Sequence, residues 1–148
     1  MGTSIDQETY LRLRDEVWPA LEEGFGIPSG ILHAIAWWET RGKFDLATSP
    51  KGARGLFQIM PIAEEQVKQS FGFQGDIMNP YIASMYAAAL ISRLNKRFFG
   101  HIPLILAAYN AGEGNVARFI REVRNTGQGF LPLETLNYIQ GVRGFMGW

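Results

Sequence analysis

Residues 31–39 read ILHAIAWWE, and Glu39 does not match the run before it. From Ile31 to Trp38 the stretch is apolar on nearly every side once wound as a helix, which marks a central element buried all round. Burying an ionised carboxylate costs far more than burying a methyl group unless a partner compensates. Glu39 is therefore either a solvated residue where the helix stops or an acid placed for its chemistry. Behind Pro28, Ser29 offers an N-cap for this helix. After it, Asp45, Ser49-Pro50, Gly52 and Gly55 break the periodicity into a loop or a short irregular hairpin running to Phe57.

Working outward, helices account for almost everything else. Tyr10, Leu13, Val17, Trp18 and Leu21 form a helical stripe, with Pro19 expected to bend or end it and Gly24 and Gly26 closing it. A short polar helix follows Pro61. From Pro80 a longer one puts Ile82, Met85, Tyr86, Ala89 and Leu90 on one face and ends in Lys96 and Arg97, where cations suit the helix dipole. Gly100 stops it. IPLILAAYN reads as a further buried helix, EGNVARFIREVR as an amphipathic one, and LPLETLNYIQGVRGF as the last, opened by Pro132. There is no internal repeat, low-complexity tract or linker. The expected fold class is mainly α, a single domain over residues 1–148 with at most a small irregular β-hairpin.

Composition narrows the function classes. The chain has 148 residues, 47% hydrophobic and 19% charged, which suits a domain with a sizeable core. Fourteen basic residues balance fourteen acidic ones, so no global field draws in nucleic acid or an anionic membrane, although a local basic patch stays possible. Without cysteine there is no disulfide, thiolate zinc site or cysteine nucleophile. His33 and His101 lie far apart and lack companion ligands, so no metal site and no cofactor is expected. Apolar runs are too short to span a bilayer, so no membrane insertion is expected. The first residues read neither as a secretory signal nor, with Asp6 at the sixth position, as an acylation motif.

A carboxylate delivered by a buried helix to a glycine-rich loop is a site-like arrangement. Burial beside Trp37 and Trp38 would raise the pKa of Glu39 and keep it able to donate a proton, as cleavage of a glycosidic bond by a general acid requires. The stretch ETRGKFDLATSPKGARGLFQIMP resembles the first motif of the lytic transglycosylase family with the soluble-transglycosylase (SLT) domain. There a catalytic Glu precedes a segment matched here by Ser49, Gly52, Ala53, Gly55, Leu56 and Gln58. A second family motif is matched by Tyr109, Asn110, Ala111 and Gly112, and a third by Pro132, Glu134, Thr135 and Tyr138. The three occur in the family's order. Thr40 stands where the family usually has Ser, and Phe57 where it has Met; both keep the chemical character.

The resemblance implies a lysozyme-like fold around a substrate groove that binds the glycan strands of peptidoglycan. It implies cleavage of the β-1,4 bond between N-acetylmuramic acid and N-acetylglucosamine without water, closing a 1,6-anhydro ring. One carboxyl group, Glu39, serves first as acid and then as base. By the same resemblance Ser49, Gln58, Met60, Tyr109, Asn110, Glu134 and Tyr138 are the substrate-binding candidates. All but Tyr138 also have a plainer reading: Ser49 as a turn former, Gln58 as a brace for loop backbone, Met60 as core filler, Tyr109 as core, Asn110 as a helix end, and Glu134 as a partner of the helix dipole. Arg118, Arg121 and Arg124 recur along one helical face, as a solvated stripe or a contact for an anionic wall.

Two rival classes stand beside this reading. A hydrolytic muramidase on the same fold needs a second carboxylate to activate water, for which Asp45, Glu64 and Glu65 are the candidates. A non-catalytic peptidoglycan-binding domain needs none. The expected setting is the bacterial cell wall in the periplasm, reached as a phage-delivered protein or as a fragment of a longer exported one. An isolated domain of this kind is expected to be a monomer.

Overall fold

The computed structural model describes residues 3–147; Gly2, read above for acylation, lies outside them. The chain divides into two compact units, Met1–Ser92 and Arg93–Trp148.

In the first unit, β1 (Thr3–Ser4) leads into α1 (Gln7–Arg12), whose N-cap Asp6 accepts a hydrogen bond from the Thr9 N–H at 2.7 Å. Of the two outcomes expected at Pro19, the ending does not occur, since the helical run continues through it. A proline lacks the N–H that the carbonyl four residues back would accept, and its ring crowds that carbonyl. The chain answers by widening into a π-helical turn over Leu13–Val17, where the Trp18 N–H reaches back to the Leu13 carbonyl, and then continues as α2 (Trp18–Phe25). Gly26, at φ 66°, closes α2.

Helix α3 (Ile31–Glu39) is the buried element its sequence announces, with Ile31, Leu32, Ala34, Ile35 and Ala36 inaccessible. Its start corrects the reading of Ser29. Gly30 occupies the N-cap at φ 88°, and the capping oxygens come from Glu22, which accepts from the Gly30 N–H at 3.0 Å and the Leu32 N–H at 2.9 Å. Ser29 is exposed. A glycine in the left-handed region turns the chain so that a distant carboxylate, not the neighbouring hydroxyl, meets the free amides.

Beyond α3, β2 (Asp45–Leu46) pairs antiparallel with β1, Thr3 opposite Leu46 and Ser4 opposite Asp45. The strand partner is thus the N-terminal segment, and the local hairpin is reduced to single bridges joining Thr48 with Arg54 and Arg54 with Ile59. Helix α4 (Pro61–Phe71) and helix α5 (Pro80–Arg97) follow. The buried face of α5 meets expectation in part: Tyr86 and Ala89 are fully buried, but Met85 is 39% exposed, while Ala83, Ala87, Ala88 and Ile91 are fully buried as well. Small side chains let neighbouring backbone come close, so the alanine seam takes the interior. An aromatic cluster of Tyr10, Trp18, His33, Phe44 and Phe57 holds α1, α2 and α3 to the loop, with Phe57 set edge-on to Trp18 at 6.1 Å.

The second unit contains the last turn of α5, α6 (Ile102–Ala111), α7 (Glu113–Thr126) and α8 (Leu133–Met146). His101 caps α6 by accepting from the Leu104 N–H on its Nδ1 at 3.3 Å. Gly112, at φ 94°, separates α6 from α7. Helix α6 packs on both α7 and α8, and α8 buries Thr135, Tyr138 and Val142, a spacing that falls on one helical face.

Candidate active site

Glu39 is the last residue of α3 and is half-buried. The chain leaves it through a turn built to be abrupt. Thr40, buried, donates its hydroxyl to the Ala36 carbonyl at 2.8 Å and accepts from the Phe44 N–H at 2.9 Å, so one side chain fixes both ends of the turn. Arg41, Gly42 and Phe44 all have positive φ, of 53°, 75° and 48°. For Arg41 and Phe44 this conformation is strained, and such strain persists only where the surroundings enforce it. A Cβ on Gly42 would lie 3.1 Å from the Trp37 indole nitrogen, so the turn lies tight against α3.

The loop after β2 is braced in the same manner. Ser49 accepts from the Ala53 N–H on its hydroxyl at 3.0 Å, closing the Ser49–Ala53 turn. Arg54 and Ile59 exchange backbone hydrogen bonds at 3.0 Å, and within that small loop Leu56 and Phe57 are fully buried. Gly55 has no substitute, since a Cβ there would stand 2.8 Å from the Ile77 carbonyl oxygen and φ is 77°. Gln58, itself at φ 49°, donates its amide to the Ala47 carbonyl at 3.0 Å and the Gly55 carbonyl at 2.9 Å. The plainer reading of Ser49 and Gln58 as loop braces is therefore realised. Met60, read above as core filler, is instead 42% exposed at the N-cap of α4.

The three candidates for a second carboxylate differ sharply. Glu64 is buried and ion-paired with Arg54 at 2.7 Å and Lys68 at 3.1 Å. Desolvation pushes its carboxyl up, but the two cations outweigh it and hold it below its ordinary value. Both its oxygens are thus occupied. Glu65 is exposed beside Gln69, and Asp45 is half-buried on β2. Among the described residues no group of three or more His, Asp or Glu could hold a metal ion, and no helix is long and apolar enough to cross a membrane.

In the second unit, the residues of the other two motifs meet. Tyr109 on α6 stacks on Tyr138 of α8, with ring centroids 6.4 Å apart and planes 13° from parallel. The Thr135 hydroxyl, buried, donates to the Asn110 Oδ1 at 2.8 Å. Tyr138 is 1% exposed and so belongs to the core that supports Tyr109, which is half-buried. Glu134 is exposed in the first turn of α8.

Two contributions escaped the reading of the sequence. Glu22 gives no local signal, because the amides it caps lie eight and ten residues further on. Thr135 was visible as part of a motif, but its partner Asn110 is 25 residues away.

Residues 16–129 match the family described as the transglycosylase SLT domain. Over 102 residues the chain is 36% identical to membrane-bound lytic murein transglycosylase D of Escherichia coli K12, a stretch covering 63% of this chain and 22% of that protein. Among solved structures it resembles an inactive mutant of the lytic transglycosylase Slt from Pseudomonas aeruginosa, with a TM-score of 0.75 at 24% identity, over 91% of this chain and 24% of that one. It also resembles the 70-kDa soluble lytic transglycosylase of Escherichia coli, with a TM-score of 0.76 at 24% identity, over 88% of this chain and 23% of that one. The chain thus spans about a quarter of the length of each. At that identity the structural matches establish architecture: a mainly helical, lysozyme-like fold with a small two-stranded sheet.

Proposed function

Because the chain belongs to the transglycosylase SLT domain family, we propose that it is a peptidoglycan lytic transglycosylase and that Glu39 is its catalytic acid and base. The observation that carries the proposal is the placement of Glu39: the final residue of a buried helix, held at a strained turn that Thr40 pins at both ends. The negative end of the α3 dipole disfavours a further negative charge there, which suits a group that must keep its proton until the glycosidic oxygen takes it.

The reaction needs no second protein carboxylate. Glu39 protonates the oxygen leaving C1 of N-acetylmuramic acid as the glycosidic bond breaks. The C6 hydroxyl of the same sugar attacks C1, and the Glu39 carboxylate takes the hydroxyl proton, restoring the acid. The attacking group is already held beside the reacting carbon, so proximity supplies much of the rate. The substrate's acetamido group stabilises the charge at C1, one of the substrate-assisted variants of glycoside cleavage. Occupation of Glu64 by Arg54 and Lys68 leaves the hydrolytic alternative with fewer candidates for activating water.

Ser49, Gln58, Met60, Tyr109, Asn110, Glu134 and Tyr138 belong to the proposal as the residues that shape or line the glycan site, Tyr138 by supporting Tyr109. So do a single working domain over residues 1–148, action at the cell wall, a phage-borne setting and a monomeric state. The family match running from residue 16 to residue 129 supports the first of these.

Purified peptidoglycan provides the test. Digestion should leave 1,6-anhydro-N-acetylmuramic acid ends, lighter by one water than reducing ends, and heavy-oxygen water should leave no label there. Glu39→Gln should lose turnover while keeping its helical spectrum, because the amide retains the shape but has no proton to deliver. Labelled reducing ends would establish a muramidase instead, and an active Glu39→Gln would remove Glu39 from catalysis.

A further inference from the structure

A net charge of zero conceals a separation. Before Arg93, eleven Asp and Glu stand against seven Lys and Arg; from Arg93 onward, seven Lys and Arg stand against three Glu. With His neutral, the first unit carries −4 and the second +4. Part of the second unit's excess frames a concavity of about 440 Å³ formed by the end of α5, the start of α6 and one face of α7.

Phe98, Leu104, Ala117 and Ile120, buried or half-buried, make its floor, and the exposed side chains of Arg97, Arg121 and Arg124 stand at its rim. The Arg121 and Arg124 side chains have no acidic or hydrogen-bonding partner among the described residues. Arg97 shares Glu113, at 3.5 Å, with Arg93, which holds the other oxygen at 3.2 Å, and its guanidinium also lies over the Phe98 ring, 5.7 Å from the centroid. Beside them Phe99 is 95% exposed on a left-handed backbone, φ 53°. A bare phenyl ring next to unpaired guanidinium groups resembles the anchors that dominate protein interfaces.

We propose that this cleft binds an acidic peptide segment of a partner protein, seating one apolar side chain on the Phe98–Leu104–Ile120 floor and flanking carboxylates on Arg121 and Arg124. Guanidinium forks match carboxylates in geometry as well as charge. A concave, apolar floor fits a side chain, whereas a flat bilayer cannot enter it and a phosphate polymer leaves it uncovered. No residue of the cleft belongs to the three motifs, so this binding stands apart from the proposed glycan chemistry.

Fluorescence anisotropy on the intact chain tests it, with a labelled peptide carrying one leucine flanked by glutamates. Replacing that leucine by alanine, or introducing R121E together with R124E in the protein, should each weaken binding by about tenfold or more at low salt. The lysine version of the peptide should not bind. Should the double variant lose its helical spectrum, R124Q alone, which only neutralises an exposed position, should still cost about threefold. Affinity unchanged in the charge variants, or equal affinity for the leucine and alanine peptides, overturns the proposal. Arginine-dependent binding to phosphatidylserine vesicles, or self-association abolished by the same variants, with no peptide binding, would replace it with a membrane or a second copy.

Discussion

The two units place their motif residues by different means. In the first, Thr40, Ser49 and Gln58 all spend their side-chain hydrogen bonds on main-chain groups, and Glu22 does the same for the start of α3. In the second, Asn110 and Thr135 bond to each other, and Tyr109 stacks on Tyr138. A site carried on a loop has backbone amides and carbonyls without ladder partners, and buried ones must be satisfied by some side chain. Helices satisfy their own backbone, which frees polar side chains to fix one helix against another. Backbone strain follows the same division: of the four non-glycine residues at positive φ among the described residues, three, Arg41, Phe44 and Gln58, lie on the loops of the first unit.

The largest effect should come from Glu22→Ala. It strands the Gly30 and Leu32 amides, so unfolding in urea should shift by about 2–4 kcal/mol at unchanged slope, combining a lost helix cap with unsatisfied buried donors. A loss no larger than that of an ordinary surface substitution would mean that the bracing of the first unit is decorative. Thr135→Val should cost less, about 1 kcal/mol, because it keeps the shape and removes one neutral hydrogen bond. Combined with Asn110→Ala in a double-mutant cycle, it should give a coupling of similar size. Strict additivity would break the contrast from the other side.

Smallest should be the effect of a side-chain pair inside the first unit, Tyr10 Oη with His33 Nε2 at 2.9 Å. Desolvation, aided by Arg14, holds the His33 pKa below its ordinary 6.5. A base with a lowered folded pKa binds its proton more readily when unfolded. The native state is therefore favoured above pH 6.5 and loses that advantage as pH falls through 6.5 towards the folded value. Thermal melts should decline over that window in the parent chain and flatten in His33→Gln. An equal decline in both would assign the pH response to other groups.

Much of this molecule was legible before any coordinates. The apolar run of α3, the prolines opening α4 and α5, and the glycines ending helices act through periodicity and local backbone geometry, which adjacent residues suffice to specify. The three motif segments were legible too, and with them the position of Glu39 near the end of its helix. What stayed hidden depends on partners distant in the chain. Pro19 follows a π turn over Leu13–Val17, and Trp18, which closes that turn, packs edge-on against Phe57, far along the chain. The strand at Asp45–Leu46 takes its partner from Thr3–Ser4, and the cap of α3 comes from Glu22 in place of the adjacent Ser29. The charge separation was present in the letters, but only the division at Arg93 gives it meaning, and only the fold gathers Arg97, Arg121 and Arg124 around one apolar floor. Sequence by itself determined which segments wind and that Glu39 sits near the end of its helix. Which buried amide a given carboxylate satisfies was decided by tertiary structure, because a hydrogen bond is chosen by distance in space and desolvation makes every unpaired group costly.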